Sequence, residues 1–324
     1  MSDKILAFVL AGGNGSRLHP LTLNHAKPSV VFGGYRLVDF VLSNLVNSGI
    51  ESIYLLAQYK PESLIEHVHS NWTLTPNGDE CFISVVLPRH EEGEYFYGTA
   101  DAVYQNLELI ERHAPDLVAV FAADQIYRMD VRQMVDYHHE HNADVTVAAT
   151  AVSLERASAF GIIVAGEQGR INGFQEKPEQ PTPLPSDPNR AYASMGNYLF
   201  NTEALVDGLE RLLGNGESDF GKHLLPRMLQ SHRVYAYDFD NNRVPGASPY
   251  EEPAYWRDIG TLEAYVDALL DVDGNTPRFN LRNSRWPVLP ALSAQRPLFG
   301  ANQAQLVAVG KRRGVRRLSY TILA

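Results

Sequence analysis

A glycine-rich loop with two basic residues near it is the feature of this sequence best suited to chemistry. The loop reads Leu10-Ala11-Gly12-Gly13-Asn14-Gly15-Ser16-Arg17-Leu18, and Lys27-Pro28 follows shortly after it. Glycines let a backbone take positive φ and approach a ligand closely, and the amides of such a loop attract phosphate. Because an apolar run precedes the loop, we expect a buried strand that ends in the loop, and a helix that begins after it. The pattern predicts a polyphosphate site, to which Arg17 and Lys27 add positive charge.

The spacing differs from two familiar phosphate-binding motifs. It is not the Walker sequence G-x-x-x-x-G-K-[ST], and Leu18 stands where G-x-G-x-x-G would have its last glycine. A tight turn between a strand and a helix is the alternative interpretation of this segment alone. The two cations favour the phosphate site over the plain turn.

Two aspartates are candidate ligands for Mg²⁺. Asp124 ends the apolar run that begins at Val120, and Asp258 lies in the segment Tyr255-Trp256-Arg257-Asp258-Ile259-Gly260-Thr261. Proteins bind Mg²⁺ through one or two carboxylates together with substrate phosphates. For each aspartate the alternative is a helix cap or a surface charge.

A second group of polar residues could bind a phosphorylated sugar. Glu176-Lys177 ends another apolar run, so Lys177 could hold a phosphate and Glu176 could accept hydrogen bonds from hydroxyl groups. The hydroxyl of Ser194 precedes a further strand and could contact the sugar as well. An exposed hairpin end is the alternative for Glu176 and Lys177. The histidines at 138, 139 and 141 lack metal-site spacing and are predicted to lie on a solvated helix face.

Alternating strand-like and helix-like segments must position these residues. The alternation predicts βαβ units and an α/β protein with a mainly parallel sheet. Ligands of such sheets bind beyond the carboxyl ends of the strands, where the glycine loop and Asp124 are expected. We also expect a hairpin from Phe160–Val164 and Ile171–Glu176, and a helix over Thr99–Ile110 with Thr99 as its N-cap.

Composition narrows the class of protein. The chain has 324 residues and a net charge of −10, which argues against binding to nucleic acid or to an anionic membrane. Cys81 is the one cysteine, so no intrachain disulfide can form, and this suits the cytoplasm. The N-terminal apolar run is expected to be a first strand and not a signal peptide.

Eight segments, spread over about residues 5–290, carry a resemblance to a known family. They are LAGGNGSRL, AKPSV, YRLVDFVLSN, GTADAVYQN, ASAFGIIV, FQEKP, ASMGNYLF and AYWRDIGTLEAY. In this order they resemble the glucose-1-phosphate adenylyltransferases of bacterial glycogen synthesis. The resemblance implies a GT-A-like (Rossmann-like) α/β nucleotidyltransferase domain with a mixed, mostly parallel sheet flanked by helices. It also implies that ATP and glucose 1-phosphate give ADP-glucose and pyrophosphate.

The resemblance implies roles for residues at matching positions. Arg17 and Lys27 would hold the ATP phosphates, and Asp124 and Asp258 would hold Mg²⁺. Near the nucleotide base it places Gly98 and Thr99. The residues implied for glucose 1-phosphate are Gly161, Glu176, Lys177, Ser194 and an aromatic residue that is either Phe96 or Tyr97.

The chain departs from the family pattern in several places. Ala123-Asp124-Gln125 stands where the family usually has Gly-Asp-His, the loop over 88–98 is shorter, and Phe96 aligns with a tyrosine. These departures leave two alternatives open: a non-catalytic regulatory or sugar-nucleotide-binding subunit, and a same-fold enzyme that uses another NTP. We expect a catalytic domain over 1–274, then an extended linker and a short basic tail over 275–324 in place of the family's β-helix domain. Either a homo-oligomer or a hetero-oligomer with a paralogous subunit is compatible with this organisation.

Overall fold

The computed structural model describes residues 3–72, 82–88, 95–213 and 217–289. The strands in these ranges are β1 Ile5–Ala11, β2 Val31–Phe32, β3 Tyr35–Arg36, β4 Ser52–Ala57, β5 Phe82–Val86, β6 Leu117–Ala122, β7 Gln125–Tyr127, β8 Val145–Ser153, β9 Gly161–Ala165, β10 Ile171–Glu176, β11 Arg190–Asn201, β12 Val234–Asp238 and β13 Trp256–Asp258. The α-helices are α1 Leu37–Asn47, α2 Glu62–Asn71, α3 Thr99–Tyr104, α4 Leu107–His113, α5 Val131–Glu140, α6 Leu154–Ala157, α7 Thr202–Leu213, α8 Leu225–Met228 and α9 Leu262–Asp271. Cys81 and the loop over 89–94 lie outside the described residues.

A mixed central sheet organises the chain and confirms the predicted α/β class. Its strand order is β10-β9-β11-β6-β1-β4-β5, and β8 and β12 are attached to it through β11. The pairs β6-β1, β1-β4 and β4-β5 are parallel, whereas β11 runs antiparallel to β6, β8 and β9. The strand β11 pairs with β9 through Tyr192 and Ala193, and with β6 from Tyr198 onwards. The irregular stretch between Ser194 and Tyr198 is thus where β11 changes neighbour.

Apolar side chains cover both faces of the sheet. Along β1, Leu6 and Phe8 belong to one buried cluster, and Ala7 and Val9 belong to the other. Successive side chains of a strand point to opposite faces, so a strand buried on both sides reads as a continuous apolar run. This explains why the β1 sequence is apolar throughout, and why its polar chemistry begins only in the loop that follows.

A third apolar cluster joins α1 and α9 to the last described residues. Phe279, Leu281, Trp286 and Val288 are buried in or beside it. The Leu289 amide donates to Ser43 Oγ at 2.7 Å. The stretch 275–289 therefore has no helix or strand but packs onto the domain, and residues 290–324 lie outside the described part of the chain.

Three local expectations were wrong. Only a single 3₁₀ turn over Ser16–Leu18 follows the glycine loop, not an α-helix. The residue before a proline is disfavoured in a helix, and Pro20 comes two residues later. The expected helix from Thr99 breaks at Asn106 into α3 and α4, and its N-cap is Gly98. His138 is buried and not solvated, because it continues the apolar face of α5 formed by Val131, Met134 and Val135.

Other elements match or extend the sequence predictions. The hairpin β9-β10 forms as expected, in antiparallel register from Ala165 to Gly161. Helix α7, the π-helical turn Phe220–Leu224 and strand β13 were not predicted. In the described ranges no helix is both long and apolar enough to cross a bilayer.

Candidate active site

A cleft of about 590 Å³ opens at the carboxyl ends of β1, β4 and β6. It brings together almost all the residues that the sequence singled out. Those that line it are Leu10, Gly12, Gly13, Arg17, Lys27, Phe96, Tyr97, Gly98, Thr99, Asp124, Gly161, Glu176, Lys177, Ser194 and Asp258. Gly15 and Ser16 do not line the cleft.

The glycine loop closes one side of the cleft. Gly15 has a φ of +64°, and a Cβ on it would lie 2.9 Å from Thr22 Cγ2. The Thr22 hydroxyl also donates to the Gly15 carbonyl at 2.7 Å. Gly15 therefore shapes the loop from behind, while Gly12 and Gly13 face the cleft.

Two carboxylates and two cations meet beside this loop. Lys27 Nζ lies 2.5 Å from Asp124 Oδ2. A Cβ added to Gly260 would lie 2.9 Å from Asp258 Oδ2 and 3.7 Å from Arg17 Nη2, so these two side chains share the space beside Gly260. All four side chains line the same cleft.

The ribbon β7-β13 brings Asp258 next to Asp124. In its antiparallel register Asp258 lies opposite Gln125, the residue after Asp124. Burial and then the charge of Asp124 raise the pKa of Asp258 to about 6, although Lys27, Arg17 and Lys177 favour its charged form. Two close carboxylates of which one is buried gain from a divalent cation, and oxygen donors suit Mg²⁺.

These residues fit a metal that is completed by its substrate. In the described ranges no group of three or more histidine, cysteine, aspartate or glutamate side chains is arranged to hold a metal ion. A pair of carboxylates is nevertheless sufficient where substrate phosphates supply further oxygens, as is usual for Mg²⁺. The methyl group of Ala123, which replaces a glycine of the family pattern, points into the apolar core and does not line the cleft.

The hairpin β9-β10 forms the opposite side of the cleft. Lys177 Nζ lies 3.0 Å from Glu176 Oε1. The backbone of Lys177 has a φ of +44°, which a residue with a side chain rarely adopts and which is frequent at functional sites. A Cβ on Gly161 would lie 2.5 Å from Phe174 Cζ and 3.1 Å from Glu176 Oε2. Gly161 thus leaves the space that the Phe174 ring and the Glu176 carboxylate occupy.

The segment before α3 supplies two aromatic residues with different surroundings. Phe96 is buried, whereas Tyr97 is 78% exposed. The Phe96 amide donates to Gln58 Oε1 at 2.7 Å, and Gln58 Nε2 donates to the Gly12 carbonyl at 3.0 Å. Gln58 therefore connects this segment to the glycine loop.

Thr99 and Gly98 are tied to the chain around Asp219. The Thr99 hydroxyl donates to Asp219 Oδ2 at 2.9 Å and accepts from the Phe220 amide at 3.0 Å. A Cβ on Gly98 would lie 2.3 Å from the Ser218 carbonyl oxygen. A glycine is required here because the two segments touch.

Sequence reasoning did not assign several side chains that line the cleft, among them Gln58, Gln125, Asp219 and Trp256. Gln58 directly follows β4, so the rule of strand ends that found Asp124 could have found it. Asp219 precedes an unpredicted π-helical turn, and no local pattern of the sequence marks it.

Comparison with known proteins gives concordant matches. Residues 6–274 match the model of the family described as nucleotidyl transferase. The chain is 55% identical over 291 residues to the glucose-1-phosphate adenylyltransferase of Thermodesulfovibrio yellowstonii, covering 89% of this chain and 71% of that protein. The enzyme of the same name from Thermus thermophilus is 50% identical, with the same coverage. Glucose-1-phosphate adenylyltransferase 1 of Vibrio cholerae is 44% identical over 88% of this chain and 70% of its own length.

Proposed function

This chain belongs to the nucleotidyl transferase family and, within it, to the glucose-1-phosphate adenylyltransferases, and we propose that the cleft described above performs the family's reaction. The adenylyl group of ATP is transferred to glucose 1-phosphate, which gives ADP-glucose and pyrophosphate for glycogen synthesis. The observation that carries the assignment of residues is the convergence of Arg17, Lys27, Asp124 and Asp258 between the glycine loop and the hairpin β9-β10.

The glycine loop binds the nucleotide. The backbone of Leu10, Gly12 and Gly13 lies along the cleft and offers close approach to a polyphosphate. Arg17 and Lys27 neutralise its charge. Since no α-helix follows the loop, amides and cations bind the phosphates without a helix dipole. Gly98 and Thr99 line the part of the cleft that holds the nucleotide base. There the Thr99 hydroxyl fixes the backbone around Asp219 and does not itself contact the base.

The opposite side of the cleft binds glucose 1-phosphate. Lys177 holds the phosphate, and Glu176 accepts hydrogen bonds from sugar hydroxyls. Gly161 leaves room for Glu176, and Ser194 contacts the sugar from β11. Of the two aromatic residues, the exposed Tyr97 is better placed to contact a ligand than the buried Phe96.

The chemistry requires positioning and charge neutralisation more than proton transfer. A phosphate oxygen of glucose 1-phosphate, ionised at neutral pH, forms a new bond to the α-phosphorus of ATP. The bond between that phosphorus and the bridging oxygen breaks, and pyrophosphate leaves with the electron pair. No general base is needed for this nucleophile. Arg17 and Lys27 lower the repulsion between the two anions and stabilise the charge that develops on the leaving group.

The family generally uses a divalent metal, and the carboxylates of Asp124 and Asp258 are the residues that would hold Mg²⁺. When bound, Mg²⁺ supplies Lewis-acid stabilisation of the phosphate oxygens. Asp124 also accepts a hydrogen bond from the ammonium group of Lys27. This carboxylate therefore orients a cation on the side of the cleft that binds the nucleotide.

The test of this function is pyrophosphate release from glucose 1-phosphate and Mg²⁺, with ATP, UTP, dTTP and GTP assayed separately. We expect release with ATP and little with the other three nucleotides. Release with a different nucleotide would favour the same-fold alternative. No release with any nucleotide, together with binding of ATP, would favour a non-catalytic subunit.

The predicted cytoplasmic location, domain boundary and oligomeric state stay predictions.

A further inference from the structure

Gln125 links two elements of the cleft that are far apart in sequence. Its Nε2 donates to the Met195 carbonyl at 2.6 Å, and its Oε1 accepts from Trp256 Nε1 at 3.0 Å. The amide orientation follows from the partners, since an indole N–H can only donate and a carbonyl can only accept. Both ends of this buried side chain are therefore engaged, one on β11 and one on β13.

The Met195 end holds the irregular stretch of β11. The regular pairing of β11 with β8 is interrupted between Ser194 and Tyr198. Within this stretch Gly196 has a φ of +70°, and its amide donates to Ser194 Oγ at 3.2 Å. A backbone carbonyl at such a bulge has no strand partner in register, and Gln125 supplies a donor for it. The bond thus fixes the backbone from which Ser194 enters the cleft.

The Trp256 end fixes a wall of the same half of the cleft. Trp256 and Asp258 are two residues apart on β13, so both lie on the face of the ribbon that Gln125 shares. The Trp256 ring packs against Phe160, with ring centroids 5.2 Å apart. Phe160 precedes Gly161, and both line the cleft.

We propose that Gln125 is a positioning residue for glucose 1-phosphate, which holds the Ser194 bulge and the Trp256 ring in one arrangement. The inference rests on the proposed function. Gln125 acts on the side of the cleft that binds the sugar phosphate, because its side chain bonds to Met195 and Trp256. The glycine loop is connected through Gln58 instead. The KM for glucose 1-phosphate is therefore expected to depend on Gln125 more than the KM for ATP.

The test compares Gln125→Leu with a matched control, Gln133→Leu. Gln133 on α5 also bridges through both ends, donating to the Arg243 carbonyl at 2.6 Å and accepting from the Arg243 amide at 3.1 Å, but it does not line the cleft. We expect Q125L to raise the KM for glucose 1-phosphate about tenfold, as the loss of two buried hydrogen bonds allows. Its KM for ATP should change less than about twofold, and Q133L should leave both constants unchanged.

Two further variants separate positioning from loss of folding. Gln125→His offers one donor and one acceptor as a neutral imidazole and should restore much of the affinity. Trp256→Phe removes the indole donor and also part of the ring that packs against Phe160. The part of its effect that comes through the bond to Gln125 should not add to that of Q125L, because both variants break the same bond. Equal increases in both KM values, no increase, or failure of Q125H to restore affinity would overturn the proposal.

Measuring the binding of glucose 1-phosphate directly tests the role of Gln125 even if the protein catalyses no reaction. If the wild-type protein releases no pyrophosphate, the proposed function fails, and calorimetric titration with glucose 1-phosphate then tests the inference. About tenfold weaker binding by Q125L than by the wild type supports the positioning role. Equal binding by the two proteins, or no binding by the wild type, overturns it.

Discussion

At the residue scale, opposite charges are interleaved at the centre of the site. Lys27 neutralises Asp124 at 2.5 Å, and Arg17 shares the space beside Gly260 with Asp258. Without such cations two neighbouring carboxylates would repel each other. Burial, and then the charge of Asp124, raise the pKa of Asp258. The arrangement suits a polyanion, because Asp124 orients Lys27 and Arg17 lies beside Asp258 at the same end of the cleft.

Replacing Asp124 tests this arrangement at its centre. Asp124→Asn keeps the side-chain volume but removes the charge that orients Lys27 and completes the carboxylate pair. We expect kcat for pyrophosphate release to fall by about 10²-fold or more, since the loss of one preorganised electrostatic partner has an effect of that size. Steady-state kinetics at saturating ATP and glucose 1-phosphate measure it.

Asp267→Asn is the matched control for this variant. Asp267 is an exposed carboxylate on α9, the helix that follows Asp258. Its loss should leave kcat unchanged, as expected for a surface position. If D124N unfolds at the wild-type temperature and its kcat is close to the wild-type value, Asp124 does not have the electrostatic role proposed for it.

At the element scale, the site forms where strands end and where one strand changes neighbour. The parallel strands β1, β4 and β6 present the glycine loop, Gln58 and Asp124 at one edge. The strand β11 crosses from β9 to β6 near Ser194 and brings the hairpin β9-β10 to face them. A cleft at such a change in strand order is the general expectation for ligand sites of α/β sheets.

The hairpin β9-β10 offers a test at this scale. Gly161→Ala would place a Cβ 2.5 Å from Phe174 Cζ and 3.1 Å from Glu176 Oε2, so the Phe174 ring must shift and Glu176 beside it must give by a few tenths of an ångström. We expect the KM for glucose 1-phosphate to rise about tenfold, because overpacking of this size displaces a binding side chain. The KM for ATP should change little, and substrate kinetics measure both.

Gly173→Ala is the control on the partner strand. A Cβ at Gly173 would lie 3.4 Å from Val164 Cβ, which is an ordinary contact, and it faces away from Glu176. This variant should bind glucose 1-phosphate as the wild type does. If G161A bound glucose 1-phosphate as tightly as G173A, the packing of Phe174 and Glu176 against Gly161 would not determine the affinity for the sugar phosphate.

The same elements show what sequence alone could predict. The glycine loop, Asp124 and the hairpin were found because each is marked by a local pattern: an apolar strand that ends in glycine, a charge or a turn. Asp219 and the bridge from Gln125 to Trp256 were missed, because their partners lie about 100 residues or more away in the chain. The helix expected after the loop was wrong for a local reason, Pro20, that the sequence did contain.

At the scale of the whole molecule, residues remote from the cleft hold its parts together. Arg257, the neighbour of Asp258, pairs with Asp271 of α9 at 2.9 Å and with Glu252 at 2.7 Å. Trp286 packs near α1, and its indole nitrogen lies 3.4 Å from Asn44 Oδ1, which also accepts from the Met129 amide at 3.0 Å. The stretch 275–289 thus contributes to the rigidity of the frame that carries β7 and β13.

Stability of the whole fold should depend on pH through His138. Its Nε2 lies 3.1 Å from Asn201 Oδ1, and its Nδ1 lies 2.8 Å from Thr146 Oγ1. The Asn201 amide nitrogen donates to the Ala143 carbonyl, so Oδ1 is the acceptor and the neutral imidazole carries its proton on Nε2. Burial lowers the pKa of His138. The unfolded chain then binds a proton more readily, and stability falls as the pH drops below the ordinary histidine value of about 6.5.

The variant His138→Gln removes this titration while keeping one donor and one acceptor. We expect the free energy of unfolding in urea to fall less between pH 7.5 and pH 5.5 in H138Q than in the wild type, since a glutamine does not charge in the unfolded chain. His139→Gln on the same helix is the control, because the His139 side chain is half-exposed and its Nε2 lies 2.8 Å from Asp3 Oδ2 at the surface. It should retain the loss seen in the wild type. An equal loss in H138Q and the wild type would mean that His138 accepts a proton in the folded protein as readily as in the unfolded chain, and that the buried neutral pair with Asn201 is not maintained in solution.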